Sequence, residues 1–350
     1  MKAVQILIPG DPNTRTGGYL YDRRIMGGLT ALGWRVELHR LSARFPHPDP
    51  AALREADAVL AGLPDQALAV IDGLALGAMP EVAAAHRDRL RLVALIHHPL
   101  ALETGLDEAA RQRLYASEYE ALRQVRGVIV TSRSTARALA AYDISPECCA
   151  VVPPGTDAAA LAEGSRDGTL TLLCVAALTP RKGHDLLFRA LARLAGQSWR
   201  LRCAGSAALD PATAAALREL VVELGVADRI EFLGELDEEA LAQQYRRADL
   251  FVLPSYHEGY GMALAEALAH GLPVVSTTAG AIPDTVPAPA GLLVPPGDQE
   301  ALTEALTRLM TEPGLRESLA SGARAARRTL PDWSDSCARF AAALDALAVR

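Results

Sequence analysis

Cysteine is scarce and unclustered in this 350-residue sequence: Cys148, Cys149, Cys174, Cys203 and Cys337 are odd in number and form no C-x-x-C pair. That argues against a zinc ribbon and a disulfide framework, and three of the five sit in apolar runs, where a thiol reads as a small buried hydrophobe. No H-x-x-x-H pair or aspartate-rich cluster accompanies them, so no metal site is expected. The most apolar run, Ala67 to Met79, is too short to cross a bilayer and carries Asp72. Met1-Lys2-Ala3 leads straight into a strand-like segment without a cleavable signal pattern, and a cytoplasmic address is expected. Basic residues are outnumbered, with a net charge of −7 and no basic stripe, so no nucleic-acid partner is expected. Lysine is nearly missing, occurring only at Lys2 and Lys182. In a chain that otherwise uses arginine, a lysine in a glycine-containing loop suggests a need for a compact ammonium.

What is present is apolar: half the residues are hydrophobic and 22% are charged, with no polar low-complexity tract. A chain of this length and composition buries a large core and is expected to form two domains. Short β-rich runs fall at Val4 to Ile8, Trp34 to His39, Ala58 to Ala61, Leu92 to Ile96, Val128 to Thr131 and Ala150 to Val152. A second series follows at Thr171 to Ala176, Arg200 to Ala204, Arg229 to Leu233, Leu250 to Leu253, Pro273 to Ser276 and Gly291 to Val294. Helical periodicity separates most members, which implies two parallel α/β units. Asp210 and Pro211 start one helix, with Leu217, Leu220, Val221 and Leu224 on one stripe before Gly225. Asp298 caps another, with Leu302, Ala305, Leu306 and Leu309 on one face. Pro153-Pro154-Gly155-Thr156-Asp157 and the polar stretch through Gly164-Ser165-Arg166-Asp167-Gly168 form the best linker, which places the first domain at residues 1–157.

In open parallel sheets ligands bind beyond the carboxyl ends of the strands, and three segments there carry chemistry. Glu258-Gly259-Tyr260-Gly261-Met262-Ala263 follows the strand ending at Leu253 and opens a helix, Met262 to His270, that Gly271 ends. Free N–H groups near Gly261, Met262 and Ala263 suit a diphosphate. Glu266 lies inside that helix among alanine and leucine; alone it reads first as a salt-bridged or solvated carboxylate and second as a ligand for a hydroxyl-rich partner. Arg181-Lys182-Gly183 follows the first strand of the second half; two adjacent cations there can neutralise a diphosphate, or form a plain exposed turn. In the first half, Gly10 leads to Thr16-Gly17-Gly18-Tyr19, read as a flexible loop able to bring N–H groups to phosphate or sugar. It does not fit G-x-G-x-x-G, which disfavours a nicotinamide oxidoreductase. His97 and His98 follow the strand ending at Ile96, where a histidine can meet a sugar hydroxyl or serve structure.

The segment Glu258 to Glu266 resembles the E-x7-E motif of the retaining family 4 glycosyltransferases of the GT-B fold. Arg181-Lys182-Gly183 resembles that family's diphosphate loop, Phe232-Leu233-Gly234 its base-proximal loop, and Ala269 to Val275 its helix-to-strand signature. Gly280 to Asp284 and Gly291 to Asp298 resemble its closing segments. The first half matches only through Gly17-Gly18 and His97. Ala204-Gly205-Ser206-Ala207-Ala208 departs from the family's more glycine-rich turn, and Pro283-Asp284 has aspartate where glutamate is more usual. The resemblance implies two Rossmann-like, doubly wound parallel-sheet domains facing a central cleft. Asp332-Trp333 and the last helix resemble the family's return of the C-terminal helix, so residues 334–350 join the first, acceptor-side domain and residues 158–333 bind the donor.

Carried over residue by residue, the resemblance implies that Glu258 contacts the donor sugar, Arg181 and Lys182 hold the diphosphate, and Glu266 accepts from the ribose hydroxyls. His97 joins these as a catalytic residue, with Gly17, Gly18, Leu233, Gly259, Tyr260, Gly261, Met262 and Ala263 lining the donor. It further implies a hexosyltransferase-type enzyme that uses a nucleotide-diphosphate sugar, UDP-linked first and GDP-linked second, without metal or other cofactor; the alternatives are a nucleotide-sugar epimerase of the same fold and a non-catalytic nucleotide-sugar-binding subunit. The acceptor stays open, a soluble small molecule being preferred to a lipid.

Overall fold

The computed structural model describes residues 2–165 and 167–349. Arg166 of the expected linker and the ends Met1 and Arg350 of the expected first domain lie outside the described residues.

The described residues form two compact units, 2–155 with 331–349, and 156–165 with 167–330. Each is built on a six-stranded parallel sheet. In the first unit β1 (Ala3–Pro9), β2 (Arg35–Leu41), β3 (Leu68–Asp72), β4 (Arg91–Ile96), β5 (Gly127–Val130) and β6 (Cys149–Val151) take the order β2-β1-β3-β4-β5-β6. In the second, β7 (Leu170–Val175), β8 (Trp199–Ala204), β9 (Ile230–Gly234), β10 (Leu250–Leu253), β11 (Val274–Thr277) and β12 (Gly291–Val294) take the order β12-β11-β10-β7-β8-β9. Central strands such as β3 and β10 are buried at every position, as expected where helices cover both faces of a parallel sheet.

One strand assignment from sequence is corrected. Ala58 to Ala61 is the last turn of the helix Pro50–Ala61, which Asp49 starts by accepting from Ala52 N, with Pro50 at its first turn. Ala52, Ala56 and Leu60 recur at helical spacing on its buried side, a period that a four-residue window hides. The third strand is instead β3, inside the apolar run from Ala67 to Met79. Gly17 and Gly18 are a second correction. They form the first turn of the helix Gly17–Ala31, with Thr16 Oγ1 accepting from Tyr19 N, and the loop ends before them.

The other caps act where the sequence places them. Asp210 accepts from Thr213 N at the head of the helix Pro211–Glu223, and Asp298 accepts from Ala301 N at the head of Gln299–Thr311. The last helix, Trp333–Val349, belongs to the first unit. Ser336 Oγ donates to Pro153 O (2.7 Å), Phe340 is fully buried, and Cys337 packs so closely on Gly28 that a Cβ there would overlap it. Among the described residues no helix is long and apolar enough to cross a membrane.

Candidate functional site

Strand order reverses between β10 and β7 in the second unit, and the carboxyl ends of strands at such a reversal are where open parallel sheets bind ligands. After β7 the chain makes a short turn, Pro180–Lys182, and enters the helix His184–Ala192 through Gly183. Gly183 has φ +68°, and any side chain there would run into the Pro254 carbonyl; glycine is what lets this turn lie against the end of β10. Tyr256 N donates to Arg181 O (2.8 Å) and Arg181 Nη1 donates to His257 O (2.9 Å), tying the two loops together.

Here the buried Glu258 carboxylate meets both cations. Lys182 Nζ donates to its Oε1 (2.6 Å), Ser255 Oγ donates to the same oxygen (2.6 Å), and Arg181 Nη1 stands 3.8 Å from Oε2. Burial alone would raise the Glu258 carboxyl, but the charges of Lys182 and Arg181, with hydrogen bonds from Lys182 and Ser255, hold it below the usual range. Burial wins at Lys182, whose ammonium is pulled below its ordinary range although Glu258 favours the charged form. Two cations and one anion leave a net positive centre.

Beside it begins the helix Met262–Ala269. Gly261, at φ +90°, opens that helix without a side-chain cap. Leu264 N is the first to find a helical acceptor, Gly261 O at 2.9 Å, so Met262 and Ala263 start the helix with N–H groups that have no intrahelical partner. Tyr260 is held by Thr285, whose Oγ1 donates to its carbonyl (2.6 Å), and burial pushes the Tyr260 phenol up to about 12. Further along, Glu266 accepts from Tyr245 OH (2.9 Å). Burial raises Glu266 to about 7 against the pull of that hydrogen bond, and Asp157 and Glu238 add to the rise. Leu233 lies at the end of β9, which β8 separates from β7; it shares the carboxyl edge of the sheet without joining the ion-paired cluster.

In the first unit the strand order reverses between β1 and β3. His97, just after β4, meets Asp22 and Asp72 there: its Nε2 lies 3.3 Å from Asp22 Oδ1 and 3.4 Å from Asp72 Oδ2. Gly18 lies under the same imidazole, where a Cβ would sit 3.7 Å from the ring. His98 turns to a different carboxylate, Glu103, at 3.3 Å. Asp22, Asp72 and His97 offer ligand-type atoms within 4.8 Å of one another, a grouping that sequence spacing did not reveal.

Four residues of these clusters escaped the sequence reading. Ser255 and Tyr245 look like ordinary loop and helix residues. Asp72 was hidden because its strand was misplaced. Asp22 left a signal: it falls at i−3 to Ile25 on a buried helical stripe, where an acid needs a partner.

The profile of Glycosyl transferases group 1 matches residues 157–326, and that of Glycosyltransferase Family 4 matches residues 33–160. The chain is 31% identical over 313 residues to the MMP alpha-(1->4)-mannosyltransferase of Mycolicibacterium hassiacum, covering 84% of this chain and 73% of that protein. It is 39% identical over 191 residues to the D-inositol 3-phosphate glycosyltransferase of Mycobacteroides abscessus, over 53% of this chain. The chain spans only 42% of that relative's length. Among solved structures, HepE of Anabaena in complex with UDP and glucose superimposes with a TM-score of 0.76 at 18% identity, over 98% of this chain and 99% of that one.

Proposed function

Because this chain belongs to the group 1, family 4 glycosyltransferases and has their GT-B fold, we propose that it transfers a sugar, with retention, from a nucleotide-diphosphate donor to a small soluble acceptor. One observation carries the reading: Arg181, Lys182 and Glu258 converge at the switch point of the second sheet, beside a helix start whose first N–H groups have no intrahelical acceptor. A diphosphate needs cations and N–H donors, and a sugar needs a carboxylate acceptor next to them. UDP is the first choice of base and GDP the second; UDP is what the Anabaena structure holds.

In this mechanism Lys182 and Arg181 are drawn from Glu258 toward the diphosphate, while Met262 and Ala263 donate N–H groups to it. Glu258, freed in part from its ion pairs, accepts from the sugar hydroxyls. The bond from the anomeric carbon to the diphosphate oxygen breaks with its electron pair leaving on that oxygen, where the cations and N–H groups stabilise the growing charge. The acceptor hydroxyl attacks the same face, and its proton passes to the departing phosphate oxygen, so no enzyme nucleophile is required. Glu266 accepts from the ribose hydroxyls, Gly259, Tyr260 and Leu233 line the donor, and the proposal also assigns donor binding to Gly17 and Gly18 and catalysis to His97. The protein groups supply the charge that a metal would otherwise bring, and a cytoplasmic address belongs to the same proposal.

A thermal-shift panel of nucleotide diphosphates and their sugars tests donor recognition. A ligand at a hundredfold its Kd adds about 2.7 kcal/mol of stability. NMR of the product then reads the anomeric outcome: an α-linked donor gives an α-linked product. A β product, or no stabilisation by any nucleotide, refutes the proposal.

A further inference from the structure

Three elements far apart in sequence place two buried carboxylates around one ring nitrogen. Asp22 comes from the helix Gly17–Ala31, Asp72 from the end of β3 and His97 from the segment after β4. The Asp22 side chain is 1% exposed and that of Asp72 3%, whereas His97 keeps 21% of its side chain open. Neither Asp22 oxygen nor His97 Nε2 has a well-formed hydrogen bond, so the three groups have chiefly one another at 3.3 and 3.4 Å. Asp72 Oδ1 is already engaged, accepting from Leu74 N at 2.7 Å.

The rest of the residue is held as firmly. Thr131 and Thr135 hydroxyls each donate to the His97 carbonyl at 3.3 Å. The Tyr21 ring meets the imidazole edge-on, with centroids 5.6 Å apart, and Gly18 leaves room for the ring. A bare Nε2 lone pair aimed at two carboxylates would be repulsive on both sides. A proton on Nε2 satisfies both, and their negative charge favours keeping the second ring proton as well.

Resting on the transferase reading of His97, we propose that Asp22 and Asp72 are positioning residues: they grip Nε2–H, keep the ring an imidazolium and leave Nδ1–H as a fixed cationic donor for substrate. Burial works against that charge, but the charge and close contact of Asp22, followed by those of Asp72, outweigh it and lift His97 to about 10. Burial pushes Asp22 up against the pull of His97; the charge of Asp72 adds to the rise, and Arg23 opposes it. Among the described residues Asp22 and Asp72 face the ring nitrogen and Tyr21 meets the ring edge-on, while Tyr19 and Arg23 of the same helix interact with the carboxylates. Tyr19 is itself driven up to about 12, first by burial and then by Asp72, Asp22 and Asp11.

Nitrogen-15 NMR of histidine-labelled protein tests this directly, with the His97 signal assigned by its loss in His97→Ala. In wild type both ring nitrogens stay protonated at about pH 8, well above the ordinary histidine range. In the double variant Asp22→Asn, Asp72→Asn the ring is neutral at that pH. There kcat falls about ten- to a hundredfold with donor Kd unchanged, and it recovers as the pH is lowered to about 6. A neutral His97 in wild type at about pH 8 overturns the proposal, and that measurement needs no variant to fold. So does a pH profile identical in wild type and double variant, or a His97 signal that shifts on adding Zn²⁺ or Mg²⁺, which would make a cation the shared partner. Full turnover by His97→Ala beside a clear imidazolium signal would instead remove the substrate role, failing the transferase reading of His97 and leaving the charge assignment.

Discussion

Replacing Lys182 by alanine tests the second-unit cluster most sharply, because it removes the closest partner of a buried acid. Glu258 is 6% exposed and receives Lys182 Nζ at 2.6 Å; without it the carboxylate keeps Ser255 and a distant Arg181 at 3.8 Å. Breaking a buried ion pair from one side costs about 3–5 kcal/mol, and the lower end applies because the Lys182 side chain is still 15% exposed. For a domain of this size each kcal/mol moves the melting midpoint by roughly 2–4 °C, so the second unit should melt about 6–12 °C lower. Adding Glu258→Gln removes the stranded charge, so the double variant Lys182→Ala, Glu258→Gln should be less destabilised than the sum of its single changes. Calorimetry on the four proteins reads the stability coupling. Kinetics on the same set should show Lys182→Ala lowering kcat as well as donor affinity, since the lost charge matters most as the diphosphate leaves. Wild-type melting and turnover in Lys182→Ala, with additive effects in the double variant, would refute the cluster as both a structural and a functional unit.

Glu266→Gln should weaken binding of ribose-bearing donors about ten- to a hundredfold, read by titration calorimetry, because an amide replaces a charge-assisted acceptor. The same variant carries a pH signature. Glu266 is raised to about 7 in the folded chain, so wild type loses stability as pH climbs from the unfolded carboxyl range toward that value and the loss levels off above it. Glu266→Gln removes that slope, and its melting midpoint should gain on wild type at about pH 8 relative to about pH 5; parallel curves would contradict the raised acid. His97→Ala should lower turnover more than donor affinity, since the proposed diphosphate and ribose contacts lie in the second unit, and steady-state kinetics beside donor titration separates the two. Activity should survive EDTA; complete loss restored only by Mg²⁺ or Mn²⁺ would replace the proposed charge balance with a metal.

Much of this protein is written locally. Strand-length apolar runs, Asp210 and Asp298 at helix starts, Gly271 after a helix and the Arg181-Lys182-Gly183 turn depend on contacts within a few residues, and such signals survive in sequence. The doubly wound architecture follows from their alternation. Where a window was too short the reading slipped, as when Ala58 to Ala61 passed for a strand and β3 was left inside an apolar run.

Tertiary structure alone decided which charges meet. Lys182 and Glu258 are 76 residues apart, and they pair because β7 and β10 are neighbours at the switch point, a fact of strand order that no local period encodes. Asp22, Asp72 and His97 converge in the same way, through the neighbouring β1, β3 and β4, and their spacing in sequence carries no trace of it. Sequence by itself determined the elements and named most of the chemical groups at their ends. Only the packed sheets determined that one acid is held by two cations and one imidazole by two acids, because a buried charge takes its state from what lies within a few ångströms of it.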